Sequence, residues 1–292
     1  MIKGTIIKGI GGFYYVDTEK GVAECRARGK MRREKITPAV GDEVNVTIVN
    51  EKPLEGALEE IMPRKNSLIR PPVANIDTIV IVIASASPSP DFLMVDKLIV
   101  TAEKADIEII IAVNKTDLNS AEEIERIYKN AGYPVVSLCA KDGRGIDDLK
   151  EIIKNKTTAF AGNSGVGKSS ILNYFGYDIE TGSVSKIERG RHTTRHVELM
   201  KNPDGGFVMD TPGFSLLEIN DISNNELSDL FLEFKNYDCR FKGCNHFNTS
   251  ESDCAIVDAV KKGKIAKSRY ENYCVIYDKL KDIKDWEKNN EN

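Results

Sequence analysis

From Asp77 onward the chain alternates short, continuous apolar runs with longer stretches whose apolar residues recur at helical spacing. The runs at 79–84, 108–113, 134–138 and 157–161 are too short and too uniformly apolar for surface strands, so they predict strands covered on both faces. Between them, 91–104, 121–130 and 146–154 have helix composition, and the alternation predicts a parallel sheet with crossover helices. Residues 176–195 are polar with weak periodicity and predict a long mobile loop. Two further strands are expected at 196–200 and 207–210, around the turn Asn202-Pro203-Asp204-Gly205-Gly206.

The first segment has a different rhythm. Short β-rich stretches at 4–10, 13–16, 22–26 and 42–49, with Gly11-Gly12 as a break, predict a small barrel. A five-stranded oligonucleotide-binding barrel is the leading form, and an SH3-like barrel remains open because period-2 patterning does not separate the two. Pro63-Arg64-Lys65-Asn66 and Pro71-Pro72 mark a linker, since proline and the residue before it resist regular structure. Beyond about residue 220 the character is helical, interrupted by a cysteine-rich stretch. The expected units are therefore a barrel at 1–65, an α/β domain at 66–220 and a mainly helical domain at 221–292.

Composition changes this picture in two places. With 292 residues, 41% of them apolar, there is material for at least one sizeable core, and no run approaches the roughly 18 apolar residues of a membrane span. The start Met1-Ile2-Lys3-Gly4 lacks the apolar stretch of a secretory signal, so a cytoplasmic location is the expectation. Net charge is −4, yet residues 1–70 carry 13 Lys/Arg against 10 Asp/Glu. The excess is densest at Arg26, Arg28, Lys30, Arg32, Arg33 and Lys35, where only Glu34 opposes six cations. Such a run attracts phosphate and is a candidate RNA contact; a solvated basic loop is the alternative.

Three motifs carry chemistry, and their order is unusual. Gly162-Asn163-Ser164-Gly165-Val166-Gly167-Lys168-Ser169, continued by Ser170, follows one predicted strand and opens a helix. Its glycines let backbone N–H groups curl around phosphate, Lys168 supplies a cation to the β- and γ-phosphates, and the Ser169 hydroxyl suits Mg²⁺. Asn114-Lys115-Thr116-Asp117 lies at the carboxyl end of another strand, where ligands bind in an open parallel sheet. The Asp117 carboxylate can accept from the N1–H and 2-amino group of guanine, which selects GTP over ATP. After the next strand, Cys139-Ala140-Lys141 stands where a Ser-Ala-Lys loop supports the base in other GTPases; the backbone of Ala140 can serve, and a hydroxyl is missing. Asp210-Thr211-Pro212-Gly213 ends a strand, so Asp210 can reach Mg²⁺ and the Gly213 N–H can sense a γ-phosphate. In most GTPases the phosphate loop comes first and the guanine element last; here the order is rotated.

Phe214 occupies the position after this last motif, where a glutamine usually orients the attacking water. In the loop Arg189-Gly190-Arg191-His192-Thr193-Thr194, His192 is the candidate to take that role in cis, with Thr193 or Thr194 closing on Mg²⁺. A solvent-exposed loop histidine or a partner contact is the alternative. Further on, Cys239, Cys244, His246 and Cys254 form Cys-x4-Cys-x-His-x7-Cys, four soft donors within sixteen residues. That set suits a closed, structural, tetrahedral Zn²⁺ site. Two disulfides or loose buried thiols are the competing arrangements, the first disfavoured in a cytoplasmic chain.

With the rotated motif order, the Gly-Arg-His-Thr-Thr loop, the phenylalanine after Asp-x-x-Gly and the zinc knuckle taken together, the chain resembles the ribosome small-subunit-dependent GTPase A family. The similarity spans nearly the whole length, including the linker from Arg64 to Pro72 and the trailing Ser268-Arg269-Tyr270-Glu271-Asn272-Tyr273. It implies an amino-terminal oligonucleotide-binding (OB-fold) barrel, a circularly permuted P-loop GTPase domain of α/β class and a carboxyl-terminal helical zinc domain. It also implies a role in late maturation of the 30S subunit, on 16S rRNA, with GTP hydrolysis to GDP stimulated by that subunit. Cys139 and the long interval before Cys254 depart from the pattern.

Two other functions stay open on the residues alone. A P-loop kinase or ATPase is opposed by Asn114-Lys-x-Asp117, and a nucleotide-regulated RNA-binding scaffold with negligible turnover is partly favoured by the missing glutamine. No heptad pattern is sustained, so a monomer is expected.

Overall fold

The computed structural model describes residues 1–29, 31, 37–69, 71–177, 197–210, 219 and 222–281. Its amino-terminal part is a closed barrel of β1 (Ile2–Ile10), β2 (Phe13–Thr18), β3 (Gly21–Ala27), β4 (Glu43–Glu51) and β5 (Leu54–Ile61), in the order β1-β2-β3-β5-β4. β1 pairs antiparallel with both β2 and β4, while β3 and β5 run parallel. This Greek-key closure is that of the oligonucleotide-binding barrel, not the SH3-like one. Alternate residues point inward, and Ile6, Val16, Ala23, Cys25, Val44, Val46 and Leu58 fill the interior. The linker is more regular than its prolines suggest, because β6 (Ser67–Leu68) and β7 (Val73–Ala74) form a short ribbon on either side of Pro71-Pro72.

The second part is a six-stranded sheet in the order β10-β9-β8-β11-β13-β12. β8 (Thr78–Ala84), β9 (Glu108–Asn114), β10 (Val135–Ser137), β11 (Lys156–Ala161) and β13 (Gly206–Asp210) are parallel; β12 (Met200–Lys201) is antiparallel to β13. β8 is buried at every position. Its Ile79, Ile81 and Ile83 face the core under α1 (Phe92–Lys104) and α2 (Glu122–Asn130), and Val80, Val82 and Ala84 face the one under α3 (Ile146–Ile153) and α4 (Lys168–Tyr174). Two buried faces explain why the run is apolar without alternation. The chain enters this sheet at β8 and reaches the central phosphate-loop strand β11 only fourth, which is the rotated motif order expressed as topology.

The carboxyl-terminal part has two short 3₁₀ turns (Leu227–Leu230 and Leu232–Asn236), then α5 (Ala255–Lys261) and α6 (Lys267–Lys281). Phe231, Phe234, Ile256, Tyr273, Ile276 and Leu280 build its core, which Val100 of α1 also enters. Helix α1 thus belongs to two cores. The barrel is tied to the sheet as well: Leu199 N–H donates to the Ile7 carbonyl at 2.8 Å, Lys8 pairs with Glu198 at 2.6 Å and Lys201 with Asp17 at 3.0 Å. Arg64 in the linker grips the fully buried Asp42 through two hydrogen bonds of 2.7 and 2.8 Å. No helix among the described residues is long and apolar enough to cross a membrane.

Candidate nucleotide and metal sites

The phosphate-loop residues leave β11 at its carboxyl end and enter α4 at Lys168. Gly162 has φ of 140°, and a side chain there would place its Cβ 2.4 Å from the Val82 carbonyl oxygen, so the loop can turn across β8 only with glycine. Gly167 has φ of 99° and a Cβ there would sit 2.2 Å from Asn114 Nδ2. Lys168 folds back on the loop, its amine donating to the carbonyls of Gly162 at 2.8 Å and Asn163 at 3.0 Å. Burial lowers its pKa below the ordinary lysine range, and the Asp210 charge works in the opposite direction. A phosphate in this loop would add negative charge beside the amine and reinforce the protonated form. Asp210 ends β13 opposite Phe160 of β11, two positions before Gly162, so it stands at the same sheet end as Lys168 and Ser169.

Asn114 joins the two ends of the cleft. Almost fully buried at the end of β9, it donates from Nδ2 to the Val166 carbonyl and accepts at Oδ1 from the Ala140 N–H, both at 2.9 Å. One amide therefore holds the phosphate loop and the base-support loop together. Lys115 has φ of 65° and hydrogen-bonds the Ser87 carbonyl; Ser85 Oγ donates to the Lys115 carbonyl at 2.6 Å, and Thr116 Oγ1 to the Leu138 carbonyl at 3.1 Å. Asp117 is approached from the loop that follows β10: Cys139 Sγ lies 3.4 Å from Oδ1 and Lys141 Nζ 3.6 Å from Oδ2. The guanine-type motif, the base-support loop, the phosphate loop and Asp210 are thus brought to one end of one sheet. Ser85 and Ser87 are the contributors that motif reading missed; the only signal was their place just after β8, where such a sheet binds ligands.

His192, Thr193, Thr194 and Gly213 lie outside the described residues, as do Lys30, Arg32, Arg33 and Lys35 of the basic run. Of that run, Arg26 stacks its guanidinium 4.3 Å above the Phe13 ring, and Arg28 pairs with Glu59 at 2.7 Å. Arg26 is exposed beside an aromatic ring, and Arg28 is partly neutralised by a carboxylate from β5.

Cys239, Cys244, His246 and Cys254 converge, with their donor atoms all within 4.8 Å of one another. Cys239 and Cys254 sulfurs are 3.7 Å apart, and His246 Nδ1 is 3.5 and 3.4 Å from them. A disulfide needs about 2.05 Å, which removes the pairing of these two. Tetrahedral zinc with bonds of about 2.3 Å to sulfur and 2.0–2.1 Å to nitrogen gives edges of about 3.8 and 3.6 Å. The donor set is therefore compatible with zinc. The knuckle is braced from α6, where Tyr270 and Tyr273 hydroxyls donate to the His246 and Asn245 carbonyls at 2.8 and 2.5 Å. A helix start at Cys254 directs backbone N–H groups of Ile256 and Val257 toward its sulfur; burial raises the thiol's pKa, and these contacts, with others, bring it below the ordinary value.

A contact absent from the motif reading crosses to α1. Arg269, in α6 and almost fully buried, forks onto Glu233 at 2.7 and 2.9 Å and reaches Asp96 at 2.6 Å, while Asn272 also donates to Asp96 at 2.6 Å.

Family models match in two places: RsgA N-terminal domain over residues 3–56 and RsgA GTPase over residues 61–220. The small ribosomal subunit biogenesis GTPase RsgA of Caldanaerobacter subterraneus subsp. tengcongensis is 48% identical over 295 residues, spanning 98% of this chain and 97% of its own. That of Ruminiclostridium cellulolyticum is 46% identical over 289 residues, 96% and 94% of the two chains. Among solved structures, YjeQ from Thermotoga maritima superposes with a TM-score of 0.82 at 37% identity, covering 97% of this chain and 99% of that one. YloQ, described as a circularly permuted GTPase, superposes at 0.78 with 39% identity, covering 97% and 96%. With its rotated strand order, the gathering of its motifs at one sheet end and these matches, the chain belongs to the RsgA GTPase family.

Proposed function

We propose that this protein hydrolyses GTP to GDP and phosphate while bound to the small (30S) ribosomal subunit, on its 16S rRNA, and assists late maturation of that subunit. The observation that carries the reading is the double contact of Asn114, which ties the loop beside Asp117 to the loop of Lys168 and so supports one shared nucleotide site. In this reading Asn114, Lys115, Asp117 and the loop Cys139-Ala140-Lys141 take the base. Residues 162–170 wrap the phosphates, and Lys168 turns from the Gly162 and Asn163 carbonyls to the β- and γ-phosphates. Ser169, Asp210 and one of Thr193 and Thr194 are the groups that would hold Mg²⁺, and the Gly213 N–H would sense the γ-phosphate. When bound, the cation neutralises charge on the β- and γ-phosphate oxygens. His192 orients the attacking water in place of the absent glutamine. Cys239, Cys244, His246 and Cys254 hold one structural Zn²⁺. The working units are the barrel at 1–65, whose basic run from Arg26 to Lys35 meets RNA, the permuted domain at 66–220 and the zinc domain at 221–292, acting as a monomer.

Phosphate release from GTP and from ATP, each with and without purified 30S particles, tests this. The expected result is turnover of GTP raised by 30S, with ATP inert. Equal use of ATP would return the chain to the P-loop kinase or ATPase class. Binding of 30S with no release from either nucleotide would make it a nucleotide-regulated scaffold.

A further inference from the structure

Ser85 is the first residue beyond β8, and only 5% of it is exposed. Because Ala84 pairs with Asn114 across β8 and β9, Ser85 stands against the start of the guanine-type turn. It meets that turn with three groups: its N–H donates to the Asn114 carbonyl at 2.9 Å, its Oγ donates to the Lys115 carbonyl at 2.6 Å, and its own carbonyl accepts from Asn119 Nδ2 at 3.3 Å. The Lys115 carbonyl also accepts from the Leu118 N–H at 2.9 Å, which closes the turn that carries Asp117. Lys115 itself has φ of 65°, the left-handed region, where Cβ crowds the residue's own carbonyl oxygen. The crowded group is the one that Ser85 holds. The Leu118 bond belongs to the turn and moves with it, whereas Ser85 is mounted on a strand buried at every position.

We infer that Ser85 is a positioning residue for guanine recognition: its hydroxyl pins the Lys115 carbonyl, keeps Lys115 left-handed and so holds Asp117 toward the base. This rests on the nucleotide site proposed above. Alanine at 85 keeps the two backbone bonds and removes only the hydroxyl. Lys115 then has lower-energy backbone conformations open to it, and relaxation toward them turns the peptide that leads to Asp117. The Thr116 hydroxyl, donating to the Leu138 carbonyl at 3.1 Å, tethers the other flank, so the turn loosens without unfolding.

Titration of the full chain with a fluorescent GDP analogue, in three backgrounds, provides the test. In the otherwise unaltered protein, Ser85→Ala is expected to weaken binding by roughly two- to tenfold, the range for one net hydrogen bond. In an Asp117→Ala background the same change is expected to add little, because a residue that acts through Asp117 has nothing left to position. In a Lys115→Asn background it is also expected to add little, since asparagine adopts the left-handed conformation far more readily than lysine. A full further loss in either background would overturn the inference and leave Ser85 as a support of the sheet end. So would unchanged binding by Ser85→Ala alone. Failure of the unaltered protein to bind GDP would instead remove the nucleotide site itself.

Discussion

Arg269 and Asp96, 173 residues apart, meet at 2.6 Å with both side chains almost fully out of water. One is in the carboxyl-terminal helix α6 and the other in α1 of the sheet domain, so the contact bolts the two together. Glu233 completes the charge set, and the Phe231 ring lies 4.5 Å below the guanidinium. In chain order the residues after Asp210 run into the zinc domain, so a γ-phosphate contact made there would favour a swing of that domain. This buried triad opposes such a swing, because moving α6 off α1 breaks the Arg269–Asp96 ion pair, which is costly while its partners remain largely out of water.

The triad makes a direct stability prediction. Arg269→Ala leaves two buried carboxylates facing each other, and breaking a buried pair in this way costs about 3–5 kcal/mol. Urea unfolding should show that loss in the transition of the sheet domain as well as that of the zinc domain, because Asp96 sits in α1. A loss under 1 kcal/mol would show that water reaches the triad.

Asn114 and Gly167 should behave as one unit. Asn114→Ala removes both bonds that join the loops, and Gly167→Ala forces a Cβ into the space 2.2 Å from Asn114 Nδ2 at a φ of 99°. Each change should weaken GDP binding by well over tenfold, the order expected when about 1 kcal/mol or more is lost per bond. The double variant should be little worse than either single one, as contacting residues are not additive. Titration with a fluorescent GDP analogue measures all three, and additive losses would separate the two residues.

The phosphate loop was legible because its spacing is dictated by a ligand, and the buried strands because two covered faces leave no polar alternation. Strand β5 was not legible. Its sequence Leu54-Glu55-Gly56-Ala57-Leu58-Glu59-Glu60-Ile61 is rich in residues poor at forming strands, and pairing with β3 and β4 overrides that preference. The β6–β7 ribbon was hidden for a related reason: Pro71 and Pro72 argue locally for a linker, and the pairing lies just outside them. The triad was invisible because Asp96, Glu233 and Arg269 each read as surface charges until the fold brings them together. His192 and Gly213 remain sequence readings, outside the described residues.

Removing the proposed zinc should act locally. The donors at 239, 244, 246 and 254 tie a loop with little regular structure to the start of α5, so chelation or Cys254→Ser should lower the thermal midpoint of the zinc domain. One equivalent of zinc should be released per chain, read with a chromogenic chelator. The barrel, whose core shares no residue with that domain, should keep its own transition. No zinc released from freshly purified protein would contradict the assignment.

His192→Ala separates chemistry from binding. The proposed role is to orient water in the transition state only, so single-turnover hydrolysis of GTP should slow markedly, with GTP affinity nearly intact. Hydrolysis that proceeds unchanged would take His192 out of the mechanism and leave it as a partner contact.

Arg26 offers the sharpest test of the barrel as an RNA surface, because among the described residues it is the exposed member of the basic run without a carboxylate partner, and it stacks on Phe13 at 4.3 Å. A guanidinium over an aromatic ring can meet a phosphate through its N–H edge while keeping the ring in place. Arg26→Ala should weaken binding to 16S rRNA fragments and lower the slope of log affinity against log salt by about one, the signature of one lost phosphate contact. Arg26→Lys should keep the slope, since the charge remains, and lose part of the affinity with the planar stack. Arg28→Ala should do less, because Glu59 already holds that charge at 2.7 Å. If all three variants leave both affinity and slope unchanged, RNA is met elsewhere on the molecule and this face of β3 is a solvated surface.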